Sequence, residues 1–582
     1  MKILDQIKKN VENTNNVFKD NMILSQIRPH TAPVEHLQEC CSGVITANYY
    51  FAARYFDIID DKLAKGIVSE LKKLQNTEEN TTTFGCMRWY REEEFISDTN
   101  GAFFVLLPLA LTYTLCNDKL TESEKTDILY LLENASRWFS HAANASLHYC
   151  NKIMSDGAML ALIANITGKC KDECEIFWNK WHKYCDENGW GWGENSSDCY
   201  STIMLNALNT VVISTTGEFK EKALEKREKL LNYIVFHEGK EFIPSIRTYN
   251  FEAVANYGGG VYGILSSQDA DTLATPSVSV SLALATILMY ESGAKLPETD
   301  NKNVCNERLF GDSYAYTWKG ENVRLGSVTH FPVMPCSYQN ASLAPGGRIA
   351  TYGLGWQSMP VSVMVGDYVS FLRTRTKVGE NEHSHPAIDK HNGFLYNRLF
   401  EDGNITIFST ISGQENNMAI VCRYANKMAN TASFICDEWC IPNKNAVIEE
   451  KELAGRKWFV VSEEKGKTAL LPLDGITCES EIRVPMNTYV SENGIFKTIT
   501  TEYYNDQEKL IFAPRIESAW VIVSMEPSVD VDEYLKKITV SDENLPEFEV
   551  SLAESYKGRR IVCSDGNSRA HLLIDPVNQY DF

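Results

Sequence analysis

Four apolar segments, each opening in a polar cluster, recur along the first half of the chain. They are GVITANYYFAARYFDII after Cys41, SDTNGAFFVLLPLALTYTL from Ser97, NKIMSDGAMLALIANITG from Asn151 and SDCYSTIMLNALNTVV from Ser197. Their starts are roughly fifty residues apart, a period typical of repeat arrays. Between them lie charged segments, DKLAKGIVSELKKL, SEKTDILYLLENASRWFSHA and EFKEKALEKREKLLNYIVF, with the apolar spacing of surface helices. A helix apolar all round is a buried one, and a striped helix covers it, so the pattern predicts inner and outer helices in alternation. A fifth apolar segment, SVSVSLALATILMYESG, closes the series. Helical hairpins stacked in this way fit a solenoid curled into an (α/α) toroid, with the inner-helix starts lining one end.

After about residue 310 the texture changes. Short β-rich runs, MPVSVMVGDYVSFLRTRT, NITIFSTI, MAIVCRYA, RKWFVVSEE and SAWVIVSME, are separated by glycine, asparagine and proline turns. They predict a large antiparallel β-sandwich. The expected organisation is therefore an (α/α) toroid over 1–310 followed by an antiparallel β-sandwich over 311–582. A chain of 582 residues exceeds the usual single core, and its 44% apolar content can fill two.

A formal net charge of -21 argues against nucleic acid or an anionic membrane as the main partner, since either calls for a basic face. An anionic sugar remains compatible if cations gather locally. The opening MKILDQIKKNVENTNNVFKDN has no apolar core of signal-peptide length, and no stretch is apolar enough to span a bilayer, so a soluble cytoplasmic protein is expected. The 16 cysteines are scattered and are read as reduced thiols; neither Cys170 with Cys174 nor Cys436 with Cys440 has the paired spacing of a zinc site. Oligomeric state is not legible.

Asp186 to Tyr200, DENGWGWGENSSDCY, concentrates aromatics, carboxylates and a phenol where an apolar helix begins. Glycines beside Trp190 and Trp192 would let flat rings lie open to a sugar, Glu194 can hydrogen-bond or titrate, and Tyr200 stands at the helix start. The plainer alternative is a glycine-rich turn whose tryptophans pack inward and whose Asp198 caps a helix.

A toroid followed by a sandwich resembles the heparinase II/III-like and chondroitin/hyaluronan lyase superfamily of polysaccharide lyases. The resemblance is architectural first and spans most of the chain. In those families an asparagine at one inner-helix start neutralises the uronate carboxylate, and a tyrosine about fifty residues later acts as acid or base; Asn151 and Tyr200 occupy comparable places here. The segment RTRTKVGENEHSHPAIDKHNGFLYN resembles a lyase stretch in which an arginine-containing strand leads to Gly-Glu-Asn and then Tyr-x-Asn, matched by Gly379, Glu380, Asn381, Tyr396 and Asn397. Two positions depart from the pattern. Hyaluronan-type lyases carry a histidine nine residues before the tyrosine, where this chain has Gly191, and related lyases often place a histidine directly after the asparagine, where it has Lys152. The substitutes are His148 or a histidine from the sheet half, such as His383.

What the resemblance implies is β-elimination, in which a weakly acidic proton beside a carboxylate must leave. Asn151, with Arg88 or Arg247, would bind that carboxylate and stabilise the developing anion, where loss of one donor costs about 3 kcal/mol. Tyr200 would protonate the leaving oxygen; to remove the proton as well, its phenol must be lowered from about 10 by nearby cations. Arg247 lies in PSIRTYNFEAVANYGGG beside Asn250, a candidate substrate loop. In GCMRWYREEEFISDTNG, Arg88 and Trp89 are candidates for acid and sugar face, Asp98 and Asn100 for a cap or a subsite, and Glu92 to Glu94 for a solvated turn. Asn151 has a plainer reading as a helix-end residue, Tyr200 as a core tyrosine, and His148 as a loop histidine.

Glu382, His383, His385, Asp389 and His391 form a ligand-like set, since His-x-His on a strand puts both rings on one face. His383, His385 and Asp389 are thus candidate ligands of a structural divalent metal; a metal-free substrate-facing role, with Glu380, and an exposed loop are the alternatives. No cofactor is otherwise expected. The combined expectation is a lyase on short uronate-containing oligosaccharides held between toroid mouth and sandwich, with Trp89, Trp190 and Trp192 stacking on sugar faces. Its rivals are a glycoside hydrolase using Glu194 with Asp98 or Asp198, and a non-catalytic sugar-binding protein.

Overall fold

The computed structural model describes residues 2–26, 34, 37–96, 98–145, 147, 150–190, 196–245, 262, 280–298, 301–331, 359–378, 381–385, 409–428, 434–492, 496–506, 513–551 and 554–574. The chain divides into two compact units, one of Met1–Glu187, Tyr200–Gly239 and Tyr257–Thr299, the other of Asn188–Cys199, Lys240–Asn256 and Asp300–Phe582. The order, helices and then antiparallel sheets, is the one the sequence predicts.

In the first unit the helices are α1 (Lys2–Glu12), α2 (Gly43–Tyr55), α3 (Asp61–Lys72), α4 (Gly101–Leu115), α5 (Glu122–Phe139), α6 (Cys150–Thr167), α7 (Lys171–Asn188), α8 (Asp198–Ser214), α9 (Glu218–Phe236) and α10 (Val280–Glu291). The apolar segments became α2, α4, α6, α8 and α10. Local chemistry sets several starts: the Ser42 hydroxyl accepts from Ile45 N at 3.2 Å, Asp60 accepts from Leu63 N at 2.8 Å, and Thr121 with Glu124 forms a capping box on α5. Along α2 and α4 most residues are buried, whereas α3 buries only Ala64, Ile67, Val68 and Leu71. Helix α2 packs on α4, α4 on α6, and α10 on α2. Behind them, α5 lies on α4 and α6 and is fastened to α2 by a buried triad. Arg54 donates to both oxygens of Glu124 at 2.8 and 2.7 Å, and the Tyr50 hydroxyl donates to the same carboxylate at 2.8 Å. No helix among the described residues is long and apolar enough to cross a membrane.

In the second unit the described residues form three antiparallel layers. The first sheet runs Thr488–Glu492, Lys497–Asn505, Phe434–Ile441, Tyr368–Val378, Val361–Val365, Val323–Val328, Ser313–Lys319, Val304–Phe310, with Asn381–His385 folded back on Tyr368–Val378. The second runs Val447–Leu453, Arg456–Glu463, Gly466–Ile476, Ala513–Met525, Met418–Met428, Ser409–Glu415, His330–Phe331. The third is Thr539–Ser551, Glu554–Ser564 and Arg569–Ile574. Val363, Leu372 and Trp439 of the first sheet meet Val421, Phe459 and Trp520 of the second in one core. The opposite face of the second sheet, with Ile420, Cys422 and Val521, packs on Ile561, Leu572 and Ile574 of the third and on Leu535 of the short helix α11 (Val531–Leu535). A middle sheet dry on both faces explains the unbroken apolar run of MAIVCRY, which alternation alone does not produce.

The outer face of the first sheet is covered in part by a segment that lies between helices in sequence. Ser245 bridges Met359, the Thr317 hydroxyl donates to Ile243 O, and Ser196 Oγ donates to Pro244 O at 2.8 Å. Gly326 lies directly under this segment, where a Cβ would run into the backbone of Ile243 and Pro244.

Candidate active site

The described candidate residues of the first unit stand in the loop before α4 and in the first turns of α6 and α8. The loop before α4 is the organiser. Trp89 O accepts from Gly43 N at 2.8 Å, and the Trp89 ring lies 5.2 Å from that of Phe104. Gly101 lets the ring come close, since a Cβ there would stand 3.3 Å from Trp89 Cδ1 and 2.6 Å from Met87 O. Trp89 is thus a half-buried ring held over two helix starts, a shape suited to a sugar face.

Arg88, expected to hold an acid, instead fastens the loop. Its guanidinium donates to Glu93 O at 2.6 Å and Lys73 O at 2.7 Å. The three glutamates expected as a solvated turn divide. Glu94 is exposed, Glu92 accepts from Cys41 N at 2.9 Å, and Glu93 is buried, accepting from Trp89 N at 2.8 Å. Burial pushes the Glu93 carboxyl up against the opposing pull of the Trp89 and Tyr90 amides. Glu93 was misread because its neighbours are charged, while the backbone donors it satisfies are invisible to composition. Asp98 accepts from Asn100 N at 2.9 Å, the turn just ahead of α4.

Asn151 is the second residue of α6 and is 6% exposed, inside the first turn rather than at the cap. Tyr200, third residue of α8, is half-buried. Both therefore occupy first turns of consecutive inner helices of the same unit. Beside Asn151, Lys152 donates to both oxygens of the fully buried Asp156, at 2.7 and 2.6 Å, and His141 Nε2, on the 3-10 turn Ser140–Asn144, lies 3.3 Å from Asp156 Oδ2. Sequence reading missed this cluster. Its signal was present as two opposite charges four residues apart in an otherwise apolar helix. Burial pushes the Cys86 thiol up to about 12, with Lys152 and Asp156 acting on it in opposite directions.

Trp190 is not an open ring. It is 5% exposed, its indole donates to Glu307 Oε1 at 2.9 Å and its backbone to Leu309 O at 3.0 Å, so it is a core residue of the second unit. Only one flanking glycine is described, and at Gly189 the positive φ of +67 serves a turn against Arg308 rather than an exposed platform.

Trp192, Glu194, His148, Arg247, Asn250, Glu380 and Asp389 lie outside the described residues. So do the side chains of His383 and His385, although their backbone forms the expected strand, two residues apart and paired with Thr376 and Thr374. The arginine-bearing strand before them is ordered by burial: Arg373 donates to Glu438 Oε2 at 2.9 and 2.7 Å. Among the described residues no three His, Cys, Asp or Glu side chains are grouped to hold a metal ion, and the cysteines are free thiols.

Comparison with known proteins adds likenesses of architecture. No family model matches the chain, and no curated protein does. Among solved structures, heparinase III is similar at 9% identity over 91% of this chain and 82% of that one, with a TM-score of 0.45. The Streptomyces coelicolor A3 chondroitin AC lyase Y253A mutant is similar at 9% identity over 97% and 88%, with a TM-score of 0.42. Endoglucanase CelQ from Clostridium thermocellum, complexed with cellotetraose, is similar at 9% over 98% and 84%, with a TM-score of 0.25. The functional reading rests on the side chains at the helix starts.

Proposed function

We propose that this chain is a glycan lyase that cleaves uronic-acid-containing oligosaccharides by β-elimination. The observation that carries the reading is a buried amide, Asn151, and a half-buried phenol, Tyr200, each in the first turn of an apolar helix, the two helices being successive members of the apolar series. Elimination asks for these two chemistries and little else. An amide donor meets the uronate carboxylate and stabilises the charge that builds there as the adjacent C–H proton leaves. The Tyr200 phenolate takes that proton, the electron pair left behind forms the ring double bond, the bond from the β-carbon to the glycosidic oxygen breaks, and the phenol returns the same proton to that oxygen. Trp89 offers an apolar face for the sugar ring, and the Lys152–Asp156 pair stands one position after Asn151.

The test is ultraviolet absorbance while the purified protein meets hyaluronan, chondroitin, heparan, alginate and pectic oligosaccharides. A rising signal from a conjugated unsaturated uronate, abolished by Tyr200→Phe, supports elimination and names the substrate. Reducing ends accumulating without absorbance would replace elimination by hydrolysis.

A further inference from the structure

A buried carboxylate in the second turn of α6 meets a lysine and a histidine from two different elements. Asp156 has no exposed surface, Lys152 one turn earlier donates to both its oxygens, and His141 approaches Oδ2 from the 3-10 turn that follows α5. The other ring nitrogen of His141, Nδ1, faces Trp138 O. The Lys152 ammonium also lies 5.8 Å from the centre of the Trp138 ring. Burial pushes the Asp156 carboxyl up, but Lys152 and His141 more than offset it and hold it below the usual carboxylate range. An ion so deep is tolerated only when paired and hydrogen-bonded, so breaking either contact leaves an expensive orphan.

We infer that Asp156 is a positioning residue: by drawing Lys152 and His141 onto one carboxylate, it fixes the turn 140–144 against the first turn of α6 and sets where Asn151 stands. Two of the three Lys152 N–H groups are engaged by Asp156, and both His141 nitrogens face acceptors. The clamp therefore orients and does not itself exchange protons with a sugar. Its catalytic consequence rests on the elimination reading; its structural consequence does not.

The test uses the full chain labelled with [15N]asparagine, in which the Asn151 side-chain amide is identified by its loss in Asn151→Asp. Asp156→Asn and Lys152→Met are each expected to move that signal, whereas Lys152→Arg, whose guanidinium re-forms the pairing, returns it to its wild-type position. On whichever oligosaccharide the wild type cleaves, Asp156→Asn and Lys152→Met should lower kcat by about 100-fold, the scale of an ångström-level misplacement, with KM unchanged and Lys152→Arg restoring kcat. An unmoved Asn151 signal in Lys152→Met, or Lys152→Met turning over at the wild-type kcat, overturns the inference. Should Asp156→Asn fail to fold, Lys152→Met carries the same decision. If the wild type cleaves nothing in the panel, the elimination reading fails while the amide signal still decides the clamp.

Discussion

The indole nitrogen of Trp190 donates to Glu307 Oε1 at 2.9 Å, tying a tryptophan from the segment after α7 to the outermost strand of the first sheet. Trp190→Ala should cost about 3–5 kcal/mol through the cavity it opens. Trp190→Phe should cost about 1–2 kcal/mol through the hydrogen bond to Glu307 that it removes. Denaturant titration measures both. A sugar-stacking ring would behave in the opposite way, losing affinity with stability intact.

Asn151→Ala should lower kcat by about 100-fold, the equivalent of roughly 3 kcal/mol for one lost donor to a developing anion. The ultraviolet assay reads it directly. A change confined to KM would mean that the amide binds ground and transition states alike.

His182 is 2% exposed, boxed by Trp178, Trp181 and Phe219, and neither ring nitrogen has a hydrogen-bond partner. Burial lowers it from 6.5 to about 4. The unfolded chain then binds the extra proton first, so stability is intact above 6.5 and drains as pH falls from there through 4, by about 2–3 kcal/mol. His182→Phe should flatten that acid limb in thermal melts between pH 7 and 4.

Glu463 shows the reverse sign. Burial raises its carboxyl from 4.5 to about 6, with Asn443 Nδ2 donating to it at 2.6 Å. Its contribution is fully present below 4.5 and is lost as pH rises through 6. Glu463→Gln, which keeps the Asn443 contact without the charge, should raise stability at pH 8 by about 1–2 kcal/mol and leave it unchanged at pH 4.

Gly326→Ala should destabilise by about 1–3 kcal/mol through overpacking, because the added methyl would strike the backbone of Ile243 and Pro244. Gly455→Ala, with open space around it, is the control for loss of glycine, though its positive φ adds backbone strain of its own. Equilibrium unfolding distinguishes the two.

The helical half was legible because burial writes itself into composition: a segment such as GAFFVLLPLALTYTL has no polar stripe to show solvent. Helix α7 escaped because its inward face is Cys174, Phe177, Trp178, Trp181, His182 and Cys185, a set that reads as mixed polarity until packing reveals it. The third sheet escaped for a related reason, since Thr539–Ser551 is charged along much of its length and only its neighbours carry the apolar face. Asn151 and Tyr200 stand in the first turns of α6 and α8, positions legible in the polar openings of those segments. The Lys152, Asp156 and His141 cluster was not, because His141 comes from a different element, and sequence spacing says nothing about which turn will fold over which helix.

A strand with one wet face announces its own alignment, since sliding by one residue would turn its apolar set outward. Strand Met418–Met428 enjoys no such safeguard, because both of its faces are dry and a slip would merely exchange one oily neighbour for another. What opposes the slip is an ion that the strand itself carries. Arg423, 6% exposed, lies 3.7 Å from Asp437 of the first sheet, and on the neighbouring strand Glu517 receives Arg483, Arg515 and Arg559 at 2.7 to 2.9 Å. Shifted by one position, Arg423 would leave Asp437 and face hydrocarbon. The ions that do least for adhesion thus act as the alignment pins of the middle sheet, and neutral replacements there should yield chains that collapse readily but settle in more than one pairing.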